Sequence, residues 1–352
     1  MKEAKGKRMI TYCEALNEAI SLEMERDSKV FVYGLDVADH KRTFGSGAGL
    51  LEKFGPERYF STPLSEDALT GFGLGAAING LKPILVHIRM DFLLLSMSQL
   101  VNMVAAYRYG TGGKVKAPFV IRAVIGRGWG QGFQHSKTMH SVFAHIPGLK
   151  VVMPTTPYDV KGLFASAVRD ENPVLFLEHR WLYWVEGEVP KASYTIPLGK
   201  GSIVKKGKDM TIVATSWMNV EALKAAEVLK KRGVDVEIVD PRTIAPLDKK
   251  IILDSAKKTG RVIVADYDWV PYGFGAEVEA IVSKECFRRL KAPDQRLGFA
   301  HAPCPTARHL ENKFYPTAIS IIRAVEKMFK MKPENLSSES FYTYENKFKG
   351  PF

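Results

Sequence analysis

Two side chains in this sequence stand where proton chemistry could be done. Glu66 lies in the run Ser61-Thr-Pro-Leu-Ser-Glu-Asp-Ala-Leu-Thr-Gly71, at the mouth of a helix of very small residues. Pro63 keeps that helix from starting earlier, and Ser65 or a neighbour is expected to cap it. Gly71, Gly73, Gly75, Ala76 and Ala77 leave a smooth face that a backbone, a subunit or a cofactor can approach. A carboxylate in this place is ordinarily a partner for the helix dipole, so Glu66 gains a chemical role only from its surroundings. His135 lies in Gln131-Gly-Phe-Gln-His-Ser-Lys-Thr-Met-His140, just after a segment with four glycines in the seven residues 126–132. A histidine on a loop beyond a strand's carboxyl end stands where α/β proteins hold ligands.

Other chemistries fit less well. His140 and His145 follow His135 at i+5 and i+10, which is not the i, i+4 spacing of a metal pair on one helix face. Gly71-Phe-Gly-Leu-Gly-Ala76 imitates a dinucleotide fingerprint, but Thr62-Pro63 leads into a helix instead of a strand leading directly into the glycines. Helix packing is the better reading of those glycines. Ser216 and Asp266 lack the Gly-x-Ser-x-Gly elbow of a hydrolase. No Gly-x-x-x-x-Gly-Lys-Ser/Thr loop is present.

The elements that must position these residues alternate. Thr11 to Asp27 reads as an amphipathic helix with Ala15, Leu16, Ala19, Ile20 and Leu22 on one side. Strands are expected at 29–34, 83–88, 118–123, 149–153 and 173–177, with helices at 93–109 and 158–170 between them. Residues 186–200 carry Pro190 and Pro197 and no period, so they read as a linker. Strands at 210–215, 234–239 and 261–265 then alternate with helices at 219–231, 248–258 and 275–289, and a helix at 317–329 closes the series. This predicts an α/β protein with two mainly parallel-sheet domains. The expected boundaries are 1–188, a linker at 189–200, 201–335, and a polar tail at 336–352.

Composition narrows the class. The chain has 352 residues, 46% hydrophobic, enough for two cores. No run of 18 uncharged apolar residues occurs, so no membrane span is expected. The net charge of +12 raises the question of nucleic acid. The basic residues are scattered among acids, however, and a basic surface facing an acidic partner explains them better. Cys13, Cys286 and Cys304 form neither a disulfide framework nor a zinc spacing, which points to a reducing cytoplasm.

Taken together, Ser61-Thr-Pro-Leu-Ser-Glu66, the helix from Met90-Asp-Phe92 to Asn102, Gln134-His-Ser136 and Ala144-His-Ile-Pro-Gly-Leu-Lys-Val-Val-Met-Pro154 resemble one family. It is that of the β subunits of thiamine-diphosphate-dependent 2-oxoacid dehydrogenases, of pyruvate, branched-chain or acetoin type. These share the pyrimidine-binding domain of the wider transketolase group. Ile238-Val-Asp-Pro-Arg-Thr-Ile-Ala-Pro-Leu-Asp248 and Gly273-Phe-Gly-Ala-Glu277 resemble the family's C-terminal domain. The resemblance runs from about residue 8 to about residue 330.

The resemblance implies a thiamine-diphosphate pyrimidine-binding domain followed by a transketolase C-terminal-like domain. It implies that Leu64, Glu66 and Phe92 meet the cofactor. Phe92 would stack on the aminopyrimidine, and Glu66 would share a proton with the ring nitrogen N1′ to activate the 4′-amino group as a base. His135 would act near the reacting carbon. Backbone oxygens of Ala167, Val168 and Asp170, with Asn172, would hold a potassium ion; an Asp-x-Asn turn at a helix end is the other reading. The family's Gly-Asp-Gly motif, which holds the Mg²⁺ of the diphosphate, is absent from this sequence. A separate α chain is therefore expected to carry it, with the cofactor shared between the chains. The expected assembly is a homodimer of this chain joined by two α chains, with a lipoyl acyltransferase as a further partner. Lys137 stands in place of the family's usual glutamine, Ser98 in place of an aspartate, and Leu95 in place of a polar residue. They leave open the C-terminal half of a split transketolase, with Arg127, Lys137 and His140 as phosphosugar ligands. A non-catalytic scaffold of the same fold is the other alternative.

Overall fold

A computed structural model describes residues 8–127, 130–337 and 339. The basic start at residues 1–7, Gly128 and Trp129 of the glycine segment, and most of the expected tail lie outside the described residues. The chain forms two compact units, one built from the residues up to Ile125 and Val142–Leu198, the other from Gly126–Ser141 and the residues after Leu198. The segment carrying His135 therefore belongs with the second unit although it lies far upstream of it in sequence.

In chain order the first part of the protein comprises β1 (Met9–Thr11), α1 (Tyr12–Arg26), β2 (Val30–Leu35), α2 (Leu50–Phe54), β3 (Tyr59–Thr62), α3 (Glu66–Ile78) and β4 (Lys82–His87). It continues with α4 (Met90–Leu93), α5 (Tyr107–Gly110), β5 (Val120–Ile125), α6 (His140–Ala144), β6 (Lys150–Val152), α7 (Pro157–Arg169), β7 (Val174–His179) and β8 (Glu186–Glu188). Thr11 and Glu14 form a reciprocal cap at the start of α1: each side chain accepts the other's backbone N–H. The face of α1 bearing Ala15, Leu16, Ala19 and Ile20 is buried and packs on α7, where Val160, Leu163 and Phe164 are buried. Between the helices the buried carboxylate of Glu23 accepts Arg169 at 2.5 and 3.0 Å. Six strands of this unit lie side by side in the order β6-β7-β5-β4-β2-β3, all parallel. The buried strands β5 and β7 read as unbroken apolar runs apart from one charged residue each and a histidine, as expected when a sheet is covered on both faces.

Those two charged residues are Arg122 and Glu178. The guanidinium donates through Nε to Glu178 Oε1 at 2.6 Å and through Nη2 to Oε2 at 2.8 Å. Tyr183 donates its hydroxyl to the same carboxylate at 2.6 Å, and Arg122 also donates to Ser46 Oγ at 2.9 Å.

Two expectations are corrected in this unit. The segment Glu186–Glu188 is no linker: it is β8, paired antiparallel with β1 at the far end of the chain in sequence. No local pattern announces a pairing between segments so distant. The expected helix at 93–109 is not continuous. After α4 comes a tight turn at Leu94–Ser96, then a π-helical stretch at Gln99–Val104, then α5, with a bend of 67° between Met90–Ser96 and Gln99–Gly110. The Ala105 N–H bonds to the carbonyl of Leu100, five residues back. The backbone of Gly148, in a left-handed conformation, comes up against the Ala105 carbonyl, where a side chain would collide.

The second unit contributes β9 (Ser202–Lys205), β10 (Met210–Ala214), α8 (Met218–Lys231), β11 (Val236–Asp240), β12 (Thr243–Ala245) and α9 (Lys249–Thr259). It ends with β13 (Val262–Trp269), α10 (Phe274–Cys286), β14 (Gln295–Phe299), α11 (Arg308–Phe314) and α12 (Ala318–Met328). Its sheet runs β14-β13-β10-β11-β9, parallel except for β9 at one edge. Asp248 caps α9 by accepting the Ile251 N–H, and Gly260 ends it in a left-handed conformation. Buried Glu221 accepts Trp217 Nε1 at 2.9 Å and the Ala318 N–H at 2.7 Å, which satisfies the start of α12. The α/β class with two mainly parallel sheets is as expected. The edge strands β9 and β14 and the short α11 are additions to the sequence reading. No single helix among the described residues is long and apolar enough to cross a membrane.

Removing one partner of a buried ion pair leaves the other charge uncompensated. Arg122→Met is expected to lower unfolding stability by about 3–5 kcal/mol, read from urea denaturation. Adding Glu178→Leu to it should recover most of that loss. An Arg122→Met protein as stable as the parent would show that the pair does not hold the sheet.

Candidate active site

Helix α3 begins at Glu66, one short loop beyond β3. Ser65 occupies the cap position, but its side chain accepts no hydrogen bond, which corrects the expected capping. The Thr70 hydroxyl instead bonds back to the Glu66 carbonyl at 2.8 Å. The helix is held in place from beneath: the buried Tyr33 hydroxyl of β2 donates to the Leu69 carbonyl at 2.8 Å. Gly73 rests directly on Tyr33 and Phe119, with no room for a methyl group, while Gly75 faces open space.

Glu66 is half-buried, and among the described residues its carboxylate has no hydrogen-bond partner. Such a group at a helix N-terminus is free to bind a ring nitrogen. Beside it in sequence, Leu64 is 69% exposed, and Phe92, in α4 just after β4, is 39% exposed. Large apolar side chains at such exposure offer a surface for an aromatic ring. The residues on this chain thus fit a planar heteroaromatic cofactor that needs a carboxylate at one ring nitrogen.

The 167–172 segment is a hydrogen-bonded turn. Asp170 Oδ1 accepts the backbone and side-chain N–H groups of Asn172, both at 2.9 Å. Asp170 Oδ2 pairs with Lys150, and Asn172 Oδ1 accepts Arg108 at 3.0 Å. The Ala167 carbonyl accepts the Asp170 N–H. The segment forms an Asx-turn, with the side-chain oxygens facing Lys150 and Arg108. Among the described residues no group of three or more His, Cys, Asp or Glu side chains is arranged to hold a metal ion.

His135 is half-buried on the loop that belongs to the second unit. At one end of this loop, Arg127 donates to Glu311 at 3.1 Å and to Asn312, and its guanidinium lies 5.4 Å from the Tyr315 ring centre. In the middle, Lys137 donates its ammonium to the Phe133 carbonyl. At the other end, fully buried His140 has Nε2 3.1 Å from Asp266 and Nδ1 3.6 Å from Asp268. Burial alone would lower the His140 pKa, but Asp266 and then Asp268 outweigh it and hold it above its ordinary value. Burial pushes the Asp268 carboxyl up, against the pull of His140. A cavity of about 430 Å³ adjoins the loop, lined by Phe133, Ser136, Lys137, Trp269, Cys304 and Phe314 among others. Of the three residues considered as phosphosugar ligands, Lys137 lines this cavity. Arg127 is engaged by Glu311 and Asn312, and His140 is sealed inside. That corrects the grouping of the three as one ligand set. The partners of His140, Asp266 and Asp268, were not identifiable from spacing, because 126 residues separate His140 from Asp266.

Residues 8–184 match the transketolase pyrimidine-binding domain, and residues 199–321 match the transketolase C-terminal domain. The chain is 42% identical to the acetoin:2,6-dichlorophenolindophenol oxidoreductase subunit β of Cupriavidus necator, over 90% of this chain and 96% of that protein. It is 42% identical to the 2-oxoisovalerate dehydrogenase subunit β of Bacillus subtilis, over 87% and 94%. It is 39% identical to the mitochondrial pyruvate dehydrogenase E1 component subunit β of Pisum sativum, over 91% and 90%.

The chain belongs to the family of 2-oxoacid dehydrogenase E1 β subunits.

Its fold is also that of a solved split-gene transketolase, an inactive β4 tetramer, with a TM-score of 0.74 over 92% of this chain and 99% of that one. At 24% identity this likeness concerns the fold alone. Within the E1 β fold, two of the three glycines of α3, Gly73 and Gly75, have opposite tasks. Gly73→Ala is expected to lose about 1–3 kcal/mol by overpacking against Tyr33 and Phe119. Gly75→Ala should gain up to about 1 kcal/mol from helix propensity. Thermal melts of both variants test this; equal effects would mean that α3 does not sit on Tyr33 and Phe119 as described.

Proposed function

We propose that this chain is the β subunit of a thiamine-diphosphate-dependent 2-oxoacid dehydrogenase, active with a separate α chain and passing an acyl group to a lipoyl carrier. The observation that carries the reading is the unpartnered Glu66 carboxylate at the start of α3, in a chain of this family. When bound, thiamine diphosphate supplies a carbon nucleophile toward the 2-oxo group of the substrate. Glu66 holds or releases a proton at the N1′ nitrogen. Phe92 and Leu64 offer apolar surface to the pyrimidine and keep water from it. His135 donates or accepts a proton on the substrate side.

Mg²⁺ and the diphosphate are assigned to the α chain, because this sequence lacks Gly-Asp-Gly. A potassium ion at the end of α7 would rely on the backbone oxygens of Ala167, Val168 and Asp170, since Asn172 Oδ1 accepts Arg108. The exposed Phe72, Leu95 and Met103 of the first unit support burial against other subunits, in a β–β dimer joined by α chains. Three free cysteines support a reducing, cytoplasmic setting. The engagement of Arg127 and His140 within the second unit favours a 2-oxoacid over a phosphosugar.

Glu66→Gln keeps size and one hydrogen bond but loses the acid–base function, a loss of about 10²–10⁴ in rate. In the complex with the α chain, the Glu66→Gln variant should lose hydrogen–deuterium exchange at the thiamine C2, whereas His135→Ala should keep it and lose turnover. Near-parental C2 exchange in the Glu66→Gln complex would remove Glu66 from this role and with it the assignment of the site.

A further inference from the structure

We propose that His140, with Asp266 and Asp268, is a positioning cluster that clamps the His135 loop to the end of β13. The proposal rests on the reading of His135 as an active-site residue. Contact, continuity and charge all meet at this cluster, within the second unit. The first is contact: Asp268 Oδ2 lies 3.6 Å from His140 Nδ1, and Met139, the residue beside His140, is held at a positive φ of 53°. A non-glycine residue in that conformation persists only where its surroundings fix it. The second is continuity. Asp266 accepts Thr215 Oγ1 at 2.5 Å and the Tyr267 N–H at 2.9 Å, so the carboxylate that meets His140 is itself fixed at the ends of β10 and β13. On the loop side, Ser141 Oγ accepts the Phe274 N–H at 2.9 Å, which ties the same turn to the start of α10. The third is charge. Both ring nitrogens of His140 face carboxylates, an arrangement suited to the doubly protonated imidazolium. A neutral ring would turn a lone pair toward one carboxylate. Removed from water, that mismatch is expensive, whereas an imidazolium donates from Nε2 to Asp266 and brings its Nδ1 proton to ion-pair distance of Asp268.

His140 lies five residues past His135 and closes the loop at one end, as Arg127 with Glu311 and Asn312 closes it at the other. His135 therefore sits on a span held at both ends, with Lys137 bracing its middle through the Phe133 carbonyl. His140 touches no reacting group; it acts through the geometry of the loop. The charged groups that act on the ring are Asp266 and Asp268, both on β13, and the neutral Phe274 ring of α10 lies against it. The sign of the pH effect follows. The folded-state value of His140 is raised above the unfolded one, so its contribution is full below the ordinary histidine value near about 6.5. It is lost as pH rises through the raised value.

The test uses the complex of this chain with its α chain. Amide hydrogen exchange of peptides covering 130–139 is measured from pH 6 to 9 and corrected for the intrinsic pH dependence. The parent should lose protection of this loop as pH rises. His140→Gln should exchange there about tenfold faster at pH 6, the equivalent of one charge-assisted hydrogen bond, and show no further fall with pH. Its kcat should drop by roughly 10- to 100-fold from misplacement of His135, with KM and thiamine C2 exchange retained. Asp268→Asn keeps the size of the side chain and an oxygen toward His140 Nδ1 and should keep most of the protection, while Asp268→Ala should lose it. This pair keeps the test decisive should His140→Gln fold poorly. Loop exchange that is pH-independent in the parent, or equal in Asp268→Asn and Asp268→Ala, overturns the clamp. Full turnover in His135→Ala would instead overturn the reading of His135, leaving the loop exchange to decide the clamp by itself.

Discussion

A guanidinium and a carboxylate lie almost out of reach of water in the middle of the first sheet, with side-chain exposures of 2% and 0%. Arg122 and Glu178 can meet only if β5 and β7 are neighbours in the observed register, where Arg122 lies opposite Phe176 and Val124 opposite Glu178. A slip of one residue would turn one of the two charges to the opposite face of the sheet, away from its partner. A buried pair of this kind adds little net stability compared with apolar residues of the same volume, but it penalises every other register heavily. Tyr183, from the turn after β7, and Ser46, from the loop after β2, complete the set of donors. The pair therefore fixes two loops as well as two strands.

Register matters because the residues proposed to meet the cofactor hang from strand ends. Glu66 follows β3 by a loop of three residues between Thr62 and Glu66, and Phe92 follows β4 by a turn. An error in the pairing of β2 with β3 or β4 would carry both away. Tyr33 makes the coupling explicit: it belongs to β2, yet its hydroxyl holds α3 through Leu69, and Gly73 is small so that α3 can come down onto it. Among the glycines of α3, Gly73 packs inward and Gly75 leaves space outward.

Much of this was legible in the sequence. Helices α7, α8 and α9 fall within a residue or two of their expected limits, because Thr156 and Asp248 are cap residues and Gly260 is a stop. The buried strands β2, β4, β5 and β7 are apolar runs that admit little else. What escaped the reading depends on partners far along the chain. The β1–β8 ribbon joins residues about 180 positions apart, so neither strand carries enough local signal to be seen alone. Strand β14, Gln295–Phe299, holds a charge and a glycine and is half-buried at an edge. The apolar run from Leu93 onward promised one helix, but a run of leucines says nothing of the Gly148 backbone pressing on Ala105.

The histidines show the same limit at the level of chemistry. His135, His140 and His145 follow one another at equal intervals, and nothing in their spacing ranks them. The fold does. His145 is exposed, His140 is sealed between two carboxylates, and His135 is half-buried on the loop between two anchored ends. A histidine walled in by Asp266 and Asp268 has no access to a substrate, whatever its proton affinity. A histidine open to solvent on all sides has nothing to hold it in place. Only the middle case combines access with constraint, and a catalytic group needs both. In the clamp proposed here, the sealed histidine supplies the constraint that its neighbour needs, so a residue unable to react would still govern one that can.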